Sequence, residues 1–179
     1  MVLSDITIRR LIDEQGLVVN YSPECIQPAS INCRLGDTFL IPVPRKDGAP
    51  NSFINRPEYE HHYGTYCLKP HKFVLGTTKE VVTLSKDLTA FVEGRSSVGR
   101  MGLQVENAGW VDPGFSGEIT LELYNSSDVP ILLTPGVRLV QLVFCTLDQP
   151  CDTPYMGKYN GQRGATASKI HLDTERRSD

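Results

Sequence analysis

Two carboxylates stand ten residues apart in AGWVDPGFSGEITLEL, residues 108–123. Asp112 immediately precedes a Pro-Gly pair, and Glu122 interrupts an otherwise apolar, strand-like run. Strand alternation puts Ile119, Leu121 and Leu123 on one face and Thr120, Glu122 and Tyr124 on the other. On a fully solvated face Glu122 is an ordinary surface acid. On a face that lines a partly dry cleft, desolvation raises its proton affinity and suits it to carry protons near neutral pH. Asp112 is likewise open to two readings, a turn former before Pro113 and Gly114 or a carboxylate that the turn presents.

A second constellation is GRSSVGRMGL, residues 94–103. The strand-like TAFVE runs into Gly94, then two hydroxyls and a short helical turn flanked by Arg95 and Arg100. Free N–H groups and hydroxyls at a helix start, with guanidinium forks beside them, make an anion cradle. The same residues also suit a capped turn with solvated arginines. The phosphate-loop pattern G-x-x-x-x-G-K-[ST] is absent. Histidines stand at 61, 62, 71 and 171, and side chains of the adjacent pair diverge from an extended chain. Without an H-x-E…P-C-x-x-C pattern the route to a zinc-activated water is closed, so any hydrolytic step falls to carboxylates. Arg138 in PGVRLVQLVF reads as a strand-end residue. Gln141, set among apolar neighbours, needs a partner wherever it is buried.

The elements that must position these groups are mostly strands. Near the N-terminus, Ile8, Leu11 and Ile12 recur at helical spacing, Ser4 or Asp5 can cap the helix and Gly16 can end it. Beyond that, INCRLGDTFLIPV, KFVLGTTKEVVTL, LTAFVEG, EITLELYN, PILLTPG and RLVQLVFCTL are short β-rich runs divided by Gly, Pro, Asn and Asp. Such a chain folds as a sandwich, jelly roll or distorted barrel. Residues 44–66 read as a long polar excursion, and the Gly-rich tail from Pro154 as a mobile segment unless something holds it down.

At 179 residues the chain fits one domain, spanning 1–179, that buries roughly two-thirds of its unfolded surface. A formal charge of −3 argues against a nucleic-acid polymer as partner and leaves room for a small anion met by a local Arg and Lys cluster. No signal peptide and no apolar run long enough for a membrane is legible. Five cysteines without a C-x-x-C read as small thiols in a reducing cytoplasm.

In this order and spacing, GRSSVGRMGL, AGWVDPGFSGEI and PGVRLVQLVF resemble the motifs of the dUTPase and dCTP deaminase superfamily over about residues 1–170. The resemblance implies a mainly β, jelly-roll-like fold, a homotrimer and active sites at subunit interfaces. Glu122 in TLE, the IQPASINCRLG segment and the tail KYNGQRGATAS are similar to the deaminase branch, with residues 154–179 as a lid over the nucleotide. Gly109 and Trp110 stand where single-step deaminases have a His-Arg pair, which resembles the bifunctional, dUMP-forming members.

Carried over, the resemblance implies that Glu122 activates the water that attacks cytosine C4 and later helps protonate the leaving ammonia. Ser96 and the Ala108 carbonyl hold that water, and Arg100 steadies the acid. Arg95, Ser97, Tyr155, Lys158 and Gln162 contact the triphosphate, with Val98, Gly99 and Leu121 in the contact set. Thr120 and Gln141 lie near the base. Asp112 faces the 3′-hydroxyl and orients a second water for the α-phosphate, beside the room that Gly109 leaves. Mg²⁺ rides on the substrate phosphates with no protein cage and no zinc, and dTTP is a candidate feedback inhibitor. A deaminase that stops at dUTP, a plain dUTPase and a silent nucleotide-binding trimer are the alternatives.

Overall fold

Ile8, Leu11 and Ile12 are the buried stripe of the one sizeable helix, α1 (Asp5–Gln15). Gly16 closes it in the left-handed conformation, φ 65°, and its N–H bonds to the Ile12 carbonyl. Ser4 takes the N-cap position, but its side chain makes no capping bond. The computed structural model describes residues 1–106 and 109–173. After α1 come β1 (Val18–Val19), β2 (Ile26–Gln27), β3 (Ser30–Arg34), β4 (Thr38–Val43), β5 (Glu58–Tyr63), β6 (Tyr66–Leu68) and β7 (Phe73–Thr83). Then follow β8 (Leu88–Gly94), the single turn α2 (Ser96–Gly99), β9 (Leu103–Glu106), β10 (Trp110–Val111), β11 (Ser116–Asn125), β12 (Ile131–Leu133) and β13 (Arg138–Thr146). No helix is long and apolar enough to cross a membrane among the described residues.

Two antiparallel sheets enclose the core. One runs β5-β4-β7-β11-β9 with β1 beside β7, and the other runs β10-β8-β13-β3-β2; β12 and β6 form a separate ribbon. Inward side chains such as Ile31, Phe39, Leu121, Leu123, Leu142 and Phe144 are fully buried in one apolar cluster. Burial along β11 alternates strictly, so Ile119, Leu121 and Leu123 face the core while Thr120, Glu122 and Tyr124 face the other way.

INCRLGDTFLIPV does not continue as one strand. It breaks at Gly36, whose N–H bonds to the Thr77 carbonyl at 2.7 Å, and the two halves join different sheets. A Cβ on Gly36 would stand 2.5 Å from Thr77 Cγ2, so the crossing of the two segments requires glycine. Residues 44–66 are also not wholly irregular: Glu58–Tyr63 pairs with β4 along its whole length. Their Tyr and His residues are content on a pleated surface, and β4 supplies the backbone partners that polarity alone did not suggest.

The two sheets are tied by a buried acid. Glu80 on β7 is completely buried, and its carboxylate accepts the Arg34 backbone N–H at 2.7 Å and the Arg34 Nε at 2.6 Å. Arg34 extends the tie to the Ser22 hydroxyl at 2.8 Å and to the Asn20 carbonyl. Removing the acid alone strands a buried amide and a half-buried guanidinium. Glu80→Ala should lower the unfolding free energy by about 3–5 kcal/mol in urea denaturation, whereas a loss below about 1 kcal/mol would show that the tie is dispensable.

Candidate active site

An irregularity in β11 sets the site. Its pairing with β7 shifts register between Glu118 and Thr120, where the Ile119 N–H bonds to the Thr78 hydroxyl at 2.9 Å instead of to a ladder carbonyl. The Thr78 hydroxyl in turn donates to the Glu80 carbonyl at 2.8 Å. Such a bulge re-aims the residues beside it. Thr120 and Glu122, the next two outward positions, line a cavity of about 470 Å³.

The cavity draws on distant parts of the chain. β5 gives Tyr59, β7 gives Phe73 and Leu75, β10 and its turn give Trp110, Val111, Asp112 and Phe115, and the tail gives Tyr155, Tyr159, Gln162, Thr166 and Ser168. The larger part of its walls is aromatic and aliphatic, with the polar side chains of Asp112, Thr120, Glu122, Gln162, Thr166 and Ser168 set among them. Glu122 is half-buried there, and desolvation raises its carboxyl above the ordinary range; the Glu106 carboxylate across the sheet pushes the same way. Burial also raises the Tyr59 phenol, against a backbone hydrogen bond from Ser168.

Asp112 is oriented by its neighbour: Trp110 Nε1 donates to Asp112 Oδ1 at 2.7 Å. The indole is held edge-to-face against Phe91, with ring centroids 5.0 Å apart and planes at 87°. Thus the turn before Pro113 presents a fixed carboxylate at the cavity wall. A Cβ on Gly109 would meet nothing within 4 Å, so the chain is open at that position.

The tail forms one wall of the cavity and is fastened to the start of β11. Gly161 N–H bonds to the Ser116 carbonyl at 2.7 Å, and Glu118 N–H to the Gln162 carbonyl at 3.1 Å. Gly164 N–H reaches Glu118 Oε2 at 2.6 Å, and Thr166 N–H reaches Thr120 Oγ1 at 3.1 Å. Gln162 Nε2 is committed to the Glu118 carbonyl at 2.7 Å, while its Oε1 is buried without a partner. In this conformation Gln162 offers a ligand an acceptor, so a contact to phosphate oxygen requires the amide to turn over. Lys158 pairs with Asp173, and the ammonium groups of Lys158 and Lys169 each lie 5.6 Å from the centre of the Tyr159 ring.

Of the residues singled out in the sequence, Trp110, Asp112, Thr120, Glu122, Tyr155 and Gln162 therefore share one cavity. Arg95, Ser96, Ser97, Val98, Gly99 and Arg100 are together on and around α2 but do not line it, and Val98 is buried beneath the turn. Arg95 Nη1 donates to the Arg138 carbonyl at 2.9 Å. Gln141 lies half-buried on β13 in the other sheet, and the Leu121 side chain points into the core. Ala108 falls outside the described residues. Sequence reading passed over Tyr59, Tyr159, Phe115 and Ser168; for Tyr59 the only signal was the alternation in EYEHHY. No group of three or more His, Cys, Asp or Glu is placed to hold a metal ion among the described residues.

A family model described as dCTP deaminase-like matches residues 2–147. A protein of Sulfurihydrogenibium sp. (strain YO3AOP1) named "dCTP deaminase, dUMP-forming" is 49% identical, with 98% of this chain and 100% of that one covered. One of the same name from Aquifex aeolicus (strain VF5) is 45% identical with 100% of both chains covered. A Haloarcula marismortui protein named "dCTP deaminase" is 44% identical over 98% of this chain and 97% of its own. Among solved structures, 2′-deoxycytidine 5′-triphosphate deaminase from Agrobacterium tumefaciens has the same fold, with a TM-score of 0.64 at 21% identity. That match covers 80% of this chain, which spans 48% of the solved one.

Glu122 also makes a stability argument. Its proton is held more tightly in the folded than in the unfolded chain, so it favours the fold while protonated and loses that contribution as pH rises through the raised value. Glu122→Gln should therefore gain stability relative to the parent between the ordinary glutamate range and the raised one. Thermal unfolding across pH reads this; a difference that is flat or of opposite sign contradicts the raised carboxyl.

Proposed function

The chain belongs to the dCTP deaminase-like family, and from that premise we propose that it converts dCTP and two waters into dUMP, ammonia and diphosphate. The observation that carries this reading is the pair of acids in one cavity, a desolvated Glu122 and a tryptophan-oriented Asp112. Full-length relatives named for the dUMP-forming reaction support the coupled outcome.

In the first step Glu122 accepts a proton from the water that attacks C4 of the cytosine. The tetrahedral adduct then expels ammonia, and the proton held by Glu122 goes to the departing nitrogen. A carboxyl whose proton affinity lies above the ordinary range suits both directions of transfer near neutral pH. The aromatic and aliphatic walls exclude competing water and keep the local dielectric low. Thr120 lies beside Glu122 as a polar contact for the base. Gln141, Val98, Gly99 and Leu121 belong to the substrate set through the family resemblance.

Among the described residues, no arginine lines the cavity of one chain. The Arg95, Ser96, Ser97 and Arg100 cluster, with the Ala108 carbonyl, is therefore supplied by a second copy in a homotrimer. There Ser96 and Ala108 position the attacking water, and Arg100 steadies Glu122 and the developing charge. Arg95, Ser97, Tyr155, Lys158 and Gln162 hold the triphosphate. Lys158, paired here with Asp173, exchanges that carboxylate for phosphate. The site is zinc-free in this reading, and Mg²⁺ carried on the phosphate oxygens neutralises their charge when bound. All five cysteines are free, which suits a cytoplasmic enzyme.

In the second step the product dUTP stays in place. Asp112 orients and deprotonates a water, whose oxygen bonds to the α-phosphorus as the bond from that phosphorus to the α–β bridging oxygen breaks, leaving dUMP and releasing diphosphate. The open space at Gly109 leaves access to that phosphate.

Supplying dCTP with Mg²⁺ and separating the products tests the whole. We expect dUMP, diphosphate and ammonia. Accumulated dUTP would identify a deaminase alone, hydrolysis of dUTP with dCTP untouched a dUTPase, and no turnover a binding protein. Glu122→Gln should keep nucleotide affinity and release no ammonia. Trp110→Phe keeps an aromatic ring against Phe91 but removes the N–H that fixes Asp112. It should slow diphosphate release about ten- to hundredfold, the worth of one hydrogen bond to a charged group, while ammonia release persists. Equal loss of both steps would refute the division of labour.

A further inference from the structure

Glu106 ends β9, an edge strand whose sheet partner is β11, and its direct cross-strand partner is Glu122. Residues directly opposite in an antiparallel pair project from the same face of the sheet with their Cβ atoms about 5 Å apart. Like charges so placed repel, and strand pairing gives neither carboxylate a way to turn its stem away. Both acids are half-buried, which keeps water from screening them fully.

Among the described residues neither carboxylate of the pair forms an ion pair. On the Glu122 side of the sheet β7 places Leu75 opposite the acid, β5 brings the Tyr59 phenol, the tail brings Tyr155 and Tyr159, and the turn before Pro113 brings a further acid, Asp112. The charged residues on the elements that touch β9 are Arg95 and Arg100 around α2, Glu93 on β8 and, on β11 besides Glu122, Glu118. Arg95 is engaged with the Arg138 carbonyl. Beside the cavity, the Lys158 and Lys169 ammonium groups at the Tyr159 ring are engaged with Asp173 and the Lys158 carbonyl rather than with either acid.

We propose that Glu106 is a positioning residue for the deamination, an acid facing Glu122 across the strand pair that favours the protonated form of Glu122 until substrate and the arginines of a second copy enter. This rests on the proposed reaction and deepens it. The neighbour that keeps Glu122 protonated in the free enzyme also makes its carboxylate the stronger base toward water once that proton has been released. Direction is supported by the raised Glu122 carboxyl, for which Glu106 is the charged cause. An edge-strand acid that merely deters strand addition would have no such link to residue 122.

Two measurements on the full-length protein test this. The first is a double-mutant cycle in urea unfolding with Glu106→Gln, Glu122→Gln and both, at low and at alkaline pH. We expect additive effects at low pH, where both acids are protonated, and clear non-additivity at alkaline pH; additivity at both would overturn the proposal. The second is the pH profile of kcat/KM for ammonia release. Glu106→Gln should move the acid limb to lower pH and raise kcat/KM well below the limb by roughly three- to tenfold, with Glu106→Asp keeping the parent's limb. An unmoved limb, or one moved to higher pH, would refute the positioning role. Non-additivity in a parent protein that releases no ammonia from dCTP would instead sink the reaction and leave the carboxyl pair standing.

Discussion

A carboxyl group held halfway out of water, facing a second acid across its strand pair, organises this molecule. Glu122 sits on the outward face of β11 because strand alternation commits its neighbours Leu121 and Leu123 to the core. The bulge before Thr120 fixes where that outward face points, and the Thr78 hydroxyl and the buried Glu80 backbone hold the bulge. Aromatic side chains from β5, β10, the Pro113 turn and the tail then close around the acid. Each of these pieces lowers the polarity around one side chain, and its carboxyl holds its proton above the ordinary range as a result.

Much of this was legible in the residues. Alternation in EITLELYN assigned Glu122 to the outward face, and the Ile8, Leu11, Ile12 stripe located the helix. Turn chemistry separated the strands in most places. What stayed hidden were contacts made between segments remote in sequence. The Gly36 crossing depends on Thr77, the Arg34–Glu80 tie joins residues 46 apart, and Tyr59 reaches the cavity from a stretch whose polarity disguised a strand. Glu106 was equally invisible, because its importance lies in the register of β9 on β11 rather than in its own neighbourhood.

The geometry divides the implied site in two. The carboxylates and aromatic residues meet in one cavity, whereas the arginine and serine turn around α2 is elsewhere on the same chain. Residues 160–166 complete the wall by bonding to Ser116, Glu118 and Thr120, the very start of the strand that carries the acid. Tail, bulge and carboxyl are thus one mechanical unit.

Trp110 is the chain's sole tryptophan, and its indole nitrogen is bonded to Asp112 at the mouth of the cavity. All indole emission from this protein therefore originates within hydrogen-bonding distance of a carboxylate on the cavity wall. Unlabelled fluorescence reports on that carboxylate directly, and the arrival of a nucleotide registers as a change in colour or intensity without any engineered probe.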